Sequence, residues 1–473
     1  MSAKCRLCRE LNAECVYREP GVKLDAGDKM ILEQLNRIEG LLQSNLSSKN
    51  AKPTASSAFS PTASNGTLDE RVRSLSGTQG TVPFPLNGLG TWPNGGQNIS
   101  TMPKIHTTPA LHLLQWPVIR DLISRPCSPQ TLLQLELSRE PLRLPADPQP
   151  DMSEVSLFVH AFFEQANVWY ACVNPYTWKE YYRAAAAYRF QEGAESCMVL
   201  LVIALGCAAL SGSVAQTNRS PNYQQPGLIY FAAAWKTLPG LITRNDMLSI
   251  QCHVLAAAYL FYLVRPVEAW NLLMNASMKL QLQSSIPTPP DSQAKETYER
   301  LFWNTLLFES DLLAELDLPH SGIVNFEEAT NLPMGFEKTS TEAAGRDELW
   351  YFLAEIALRR LLNRVSHLIY TKTSSVTNIS AVEPLVQELD RQLTQWYDGL
   401  PAAVQFPRSR LPTDSFVQTV LRLRYFACRT IIFRPYIQAV LSDDSAAQDP
   451  VVSENCKKCL EACIRQIERV SEQ

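Results

Sequence analysis

The chain has 473 residues, 45% of them hydrophobic, enough to bury a large core and to form roughly two to four domains. A formal charge of −4 excludes a polycation that holds nucleic acid through a global field, so any such contact must come from a local basic element. The twelve cysteines are scattered, and the polar start lacks the apolar stretch of a secretory leader, so reduced thiols are expected rather than a disulfide framework.

The first element, residues 1–22, carries "KCRLCRELNAECVYRE", in which Cys5, Cys8 and Cys15 stand in the spacing C-x2-C-x6-C. A C-x2-C turn presents two thiolates to one metal, and Zn2+ is the usual occupant of sulfur-rich structural sites. Lys4, Arg6 and Arg9 lie beside or between these cysteines and Arg18 follows them, a small basic set that could face phosphate; Glu10, Glu14 and Glu19 offset most of its charge. A thioredoxin-like redox pair is one alternative, although no strand pattern precedes the motif, and fortuitous cysteines are another.

Residues 23–46 form a compact helical pattern. Leu24, Ile31 and Ile38 mark one seam position and Leu35 and Leu42 the other, with Asp28 weakening the seam. This is a short heptad pattern, read as a dimerising coiled coil because no domain follows that could cover it. Residues 47–103 are rich in Ser, Thr, Asn, Gly and Pro, and such a stretch buries too little apolar surface to offset its ordering entropy. A disordered linker is expected there.

From residue 104 to 473, long patterns with apolar residues at three- and four-residue steps alternate with proline-marked turns, and nothing alternates with period two. The fold class expected is mainly α: a large all-helical domain behind a small metal-site remnant, a short coiled coil and a linker. Ser153 and Asp414 are candidate helix starts and Pro319 a stop. The apolar run 198–210 is too short to span a bilayer and reads as a buried core helix.

Other constellations favour bland readings. Cys456, Cys459 and Cys463 share one helix face and suit a packed seam better than a metal site. His112, His253 and His367 sit in apolar helical patterns as satisfied core or boundary residues. Glu309, Asp311, Glu315 and Asp317 read as a charged face and caps rather than catalytic carboxylates. Trp169, Tyr170, Trp235, Trp270 and Trp303 read as core, with a ligand cavity the alternative. No nucleophile elbow, phosphate loop or dinucleotide fingerprint occurs, so an enzyme is not expected.

The cysteine triplet followed by Val16-Tyr17 and then the heptad helix resembles the second half of the fungal binuclear zinc-cluster domain. In that family six cysteines in two such half-motifs hold two zinc ions, and the first half carries the basic helix that reads DNA. Residues 104–119, 265–282, 299–323, 395–407 and 424–437 resemble segments of the same family's regulatory, or middle homology, domain. The resemblance implies a zinc-dependent, nuclear, DNA-binding regulator of RNA polymerase II genes that acts as a homodimer or with a related zinc-cluster factor. It implies Zn2+ on Cys5, Cys8 and Cys15, no membrane, and room for a small-molecule effector. It also implies an absent first half-cluster and helices beyond residue 473. Specific DNA binding is therefore expected to be poor in this form, and the runner-up is a non-DNA-binding partner that titrates intact factors.

Overall fold

The computed structural model describes residues 113–114, 116–123, 129–212, 225–285, 291–339, 342–370 and 379–470. The cysteine triplet, the heptad helix and the linker lie outside these residues, as does His112. Among the described residues the structure is helical with no strand, so the mainly α expectation is met. In chain order the helices are α1 (Pro129–Leu137), α2 (Val155–Ala161), α3 (Asn167–Tyr170), α4 (Trp178–Ala187), α5 (Gly193–Ser211), α6 (Leu228–Thr237) and α7 (Met247–Tyr262). They continue with α8 (Pro266–Ser284), α9 (Ser292–Glu315), α10 (Trp350–Val365), α11 (Ile379–Asp398), α12 (Phe416–Ser442) and α13 (Pro450–Val470).

The first core forms around α5, which is apolar on every side and therefore has no face to offer water. The helix outruns the apolar run read from sequence because Ala194, Ser196 and Cys197 are also buried. It is the one described helix long and apolar enough to cross a membrane, yet 78% of its apolar window is enclosed by protein. Neighbours approach it closely at two glycines. A Cβ on Gly206 would stand 2.0 Å from the Phe158 carbonyl oxygen, and one on Gly227 (φ 77°) would stand 2.3 Å from that of Ala204. Helix α7, capped by Asp246 accepting from the Ser249 amide at 2.9 Å, is buried nearly all round and packs on α5 and α8.

Helix α10 serves two cores. Phe352 and Ile356 join the first, whereas Ala354, Leu358, Leu361 and Val365, on another face, join the second. That second core is completed by a one-sided stripe on α11, Val386, Leu389, Leu393 and Trp396, and by α12, which contributes Leu421, Tyr425, Phe426, Cys428, Ile432 and Phe433. Helix α13 adds Val452, Cys459 and Ala462.

Proline interrupts α12 at Pro435, which has no N–H to offer the Ile431 carbonyl one turn back. The Tyr370 hydroxyl donates to that carbonyl instead, at 2.7 Å. Tyr370 ends a π-helical turn, Ser366–Tyr370, that follows directly on α10. The cap of α12 is Ser415, which accepts from the Gln418 amide at 3.2 Å, not Asp414 as the sequence suggested. Likewise α2 starts one residue beyond the expected position, with Glu154 as its cap residue.

Candidate functional site

The residues singled out for metal, DNA and dimer contacts (Cys5, Cys8, Cys15, Lys4, Arg6, Arg9, Arg18, Leu24, Ile31, Leu35, Ile38 and Leu42) all lie outside the described residues. What the helical body brings together is two charge clusters, a buried lysine–histidine pair and two clefts.

On α9, Arg300 is fully buried and makes four hydrogen bonds. Its Nε donates to Glu296 at 2.8 Å, its two terminal nitrogens to Asp347 at 2.7 and 2.8 Å, and Nη1 also to the Ala171 carbonyl at 2.7 Å. The Phe336 ring lies 3.7 Å from the guanidinium carbon. Glu296 accepts from the Met334 and Gly335 amides, and Asp347 from that of Phe336. The bidentate fork ties α9 to the chain before α10, and with four of its five N–H donors engaged and the group fully buried it is a structural clasp rather than a binding group.

A second cluster joins α9, α10 and α12. Asp311 accepts from Arg359 and from Arg424, the latter at 3.0 Å, and Arg424 also reaches Glu355 at 3.0 Å. Burial works to raise the Asp311 carboxyl, but the two guanidiniums outweigh it and hold the group at about 2. Burial raises Glu355. Of the four acids read as a charged face and caps, Glu315 and Asp317 are exposed and Asp311 is half-buried, whereas Glu309 is buried and accepts from the Ser321 hydroxyl at 2.8 Å. The middle of α9 lies between other elements on nearly every side, so Glu309 had to find its partner inside.

In the first core, Lys279 on α8 donates to the Leu241 carbonyl at 2.7 Å and to the Ser249 hydroxyl at 3.2 Å. Burial lowers it to about 8. His253 is fully enclosed; its Nδ1 meets the Ser249 carbonyl at 2.7 Å, whereas Nε2 has no hydrogen-bond partner. Burial, reinforced by the Lys279 charge, lowers it to about 4, so the ring is neutral with Nδ1 as donor. His253 is thus a core histidine as expected, but only half satisfied.

Several clefts open among the described residues, and two of them carry charged side chains beside aromatic ones. One of about 530 Å³ has Phe231, Trp235 and Leu260 against a rim containing Arg139 and Arg265. Those arginines are engaged: Arg139 with Glu136, Arg265 with Glu268 and the Glu140 carbonyl. The other, about 480 Å³, is floored by Met247, Tyr298 and Phe326 and carries Lys295, Glu299 and Asn331. Of the five aromatics marked in the sequence, Trp235 lines a cleft. Trp303 is buried with its Nε1 donating to the Asn331 carbonyl at 2.8 Å, and Trp169 packs edge-on against Tyr351 in the second core.

The profile of the fungal specific transcription factor domain matches residues 159–398. That span is about half of the chain and takes in nearly all of the first core together with α10 and α11. The chain belongs to this family. Within the family domain lie both clefts' main walls, the Arg300 clasp and the lysine–histidine pair, whereas α12 and α13 fall outside the matched span. Of the segments that suggested the resemblance, 265–282 and 299–323 fall wholly inside it, and 104–119 and 424–437 outside.

Curated relatives point the same way. The chain is 27% identical over 340 residues to ecdB of Aspergillus rugulosus, named as a transcription factor, covering 66% of this chain and 57% of that one. It is 22% identical over 205 residues to an uncharacterised transcriptional regulatory protein of Schizosaccharomyces pombe, covering 42% of this chain and 25% of that one. It is 25% identical over 263 residues to the transcriptional activator protein acu-15 of Neurospora crassa, covering 52% and 28%. The chain thus spans little more than half of ecdB and about a quarter of the other two. No solved structure matches it. The family and these relatives are transcription regulators rather than enzymes, in keeping with the missing catalytic motifs.

The cysteines of α13 behave as a seam. Cys459 is buried with its thiol toward the Thr430 carbonyl on α12 at 3.6 Å, and Cys463 lies 3.7 Å from the Thr430 hydroxyl. No group of metal-holding side chains occurs among the described residues.

Proposed function

We propose that the protein is a nuclear regulator of RNA polymerase II transcription, zinc-dependent, dimeric and directed to specific DNA sites. The observation that carries this reading is the family match over residues 159–398, supported by three relatives that are all named as regulators of transcription. In this reading Leu24, Ile31, Leu35, Ile38 and Leu42 form the dimer seam, and Lys4, Arg6, Arg9 and Arg18 contact phosphate.

The donor set of the triplet constrains the metal. Cys5, Cys8 and Cys15 offer three thiolates, enough to bind Zn2+ but one short of a closed tetrahedral site and three short of the binuclear cluster that the resemblance implies. Folding free energy in structural zinc modules comes from the metal, so the triplet contributes through the zinc it helps to hold. The near-balance of Lys4, Arg6, Arg9 and Arg18 by Glu10, Glu14 and Glu19 favours a second reading, in which the chain pairs through residues 24–42 with a related zinc-cluster factor and keeps it from DNA.

Selection of DNA from a randomised pool by the purified, zinc-supplemented full chain separates the two. The first reading expects an enriched sequence whose retention is lost in Cys8→Ser. No enrichment, with a related factor losing its own DNA when this chain is added, supports the second. Neither outcome, with nuclear exclusion in cells, overturns both.

A further inference from the structure

The smaller of the two clefts holds an acid that its surroundings answer only in part. Glu299 on α9 is 4% exposed yet lines the cleft. The Asn331 side-chain amide donates to it, and the Lys295 ammonium, one turn earlier on the same helix, stands 3.8 Å away. That separation is too long for a hydrogen bond, so the pair attracts without saturating either partner. Lys295 stands at the rim with 47% of its side chain open. Glu296 adds negative potential nearby, and its own charge is already taken by Arg300. Burial raises the Glu299 carboxyl above its ordinary value, and the Asn331 bond and the Lys295 charge offset this only in part.

We propose that this cleft binds a small zwitterion, an α-amino acid with an apolar side chain, its ammonium on Glu299 and its carboxylate on Lys295. A zwitterion lying antiparallel to the Lys295–Glu299 pair sets each of four charges beside its opposite. It also supplies the buried carboxylate with the charged donors it lacks. A simple amine is disfavoured because it brings a positive charge to Lys295 and leaves that ammonium without a new partner. An anion without an ammonium meets Glu299. The rest of the ligand faces Met247, Phe326 and the ring of Tyr298, whose hydroxyl is held by Ser284 and Thr330, so the side chain it accepts is apolar. The larger cleft offers no such opening, since its arginines are engaged by their own acids. The binding requires no DNA and stands apart from the transcription reading.

Titration calorimetry of the full chain with each apolar proteinogenic amino acid, its methyl ester and its N-acetyl derivative tests this. At least one amino acid should bind saturably below roughly 10 mM, about tenfold or more tighter than either blocked form. Glu299→Gln should weaken it by a similar factor, while the far-ultraviolet circular dichroism and the melting of the ligand-free chain stay near wild type. Lys295→Ala, at an open position where folding is not at stake, should weaken the amino acid and leave its methyl ester unchanged. Absence of any binding, N-acetyl forms that bind as well as the parents, or affinity indifferent to both substitutions would overturn the proposal.

Discussion

The first core is built on α5 and α7, helices apolar on all sides, whereas the second gathers the one-sided stripes of α11 and α13 around α12. The difference extends to their charges. In the first core Arg300, His253 and Lys279 are each at most 3% exposed, and the surrounding chain must answer them bond by bond. Around the second, Arg424 is 33% open, Arg429 pairs with Asp390 with both about a quarter open, and water shares the load. The enclosed core holds Arg300 and Lys279 through internal bonds and His253 through one, whereas the second core keeps Arg424, Arg429 and Asp390 partly in water while enclosing Arg359 and Glu355. The family match covers the enclosed core and stops at residue 398, part-way through the elements of the open one.

That contrast predicts unequal costs for losing one guanidinium in each place. Arg300→Met leaves Glu296 and Asp347 buried without a counter-charge, so it should destabilise the chain by about 3–5 kcal/mol. Arg424→Met leaves the half-open Asp311 with Arg359 but takes the ion pair from the buried Glu355, so a smaller loss of about 2–3 kcal/mol is expected. Urea midpoints at constant slope measure both. Equal losses would mean that the two regions do not differ in how they hold charge.

The second largest effect separates the regions by acid. The unfolded His253 takes a proton near its ordinary 6.5, whereas the folded ring resists until about 4. Between those values the unfolded state binds the extra proton, so this histidine's contribution to stability is present above pH 6.5 and is lost as pH falls toward 4, by up to about 3 kcal/mol. The carboxylate of Asp311, held at about 2, acts in a lower window, from its ordinary 3.8 downward, and more weakly because 43% of its side chain is open. Comparing wild type with His253→Gln across both windows isolates the first step. A variant as acid-sensitive as wild type above pH 4 would show that the first core does not enforce the neutral ring.

These particulars also show what the sequence could carry. Three- and four-residue apolar steps marked the helices, and the unbroken run in α5 marked the buried one. Which acids sit inside could not be read the same way, because periodicity describes one helix against an assumed solvent face. Helix α9 has almost no such face around Glu309, so its pattern reads as surface charge at a position the fold encloses, whereas Glu315 and Asp317 are exposed as the pattern expects. Lys295 and Glu299 look like a common i,i+4 surface pair, and they line a cleft only because residues 326–331 fold back beside them. Asp414 reads as a cap from sequence, but the backbone angles place Ser415 in the extended region at the helix start, and a capping residue is recognised only by those angles. The metal and dimer motifs were the most legible chemistry, and they fall outside the described residues.

The smallest effect concerns how the second core tolerates its proline. Pro435 should break α12, yet the helix runs 27 residues because the Tyr370 hydroxyl answers the carbonyl that the proline leaves unbonded. The hydroxyl reaches Ile431 from the end of the π-helical turn after α10, so a local irregularity in one helix repairs an irregularity in another. Tyr370→Phe keeps the ring and removes that donor, which should cost about 1–2 kcal/mol. Hydrogen exchange should quicken in the α12 turn between Ile431 and Pro435, with the first core's α5 unchanged. If α5 quickens equally, the two cores open as a single unit and their different construction does not extend to their dynamics.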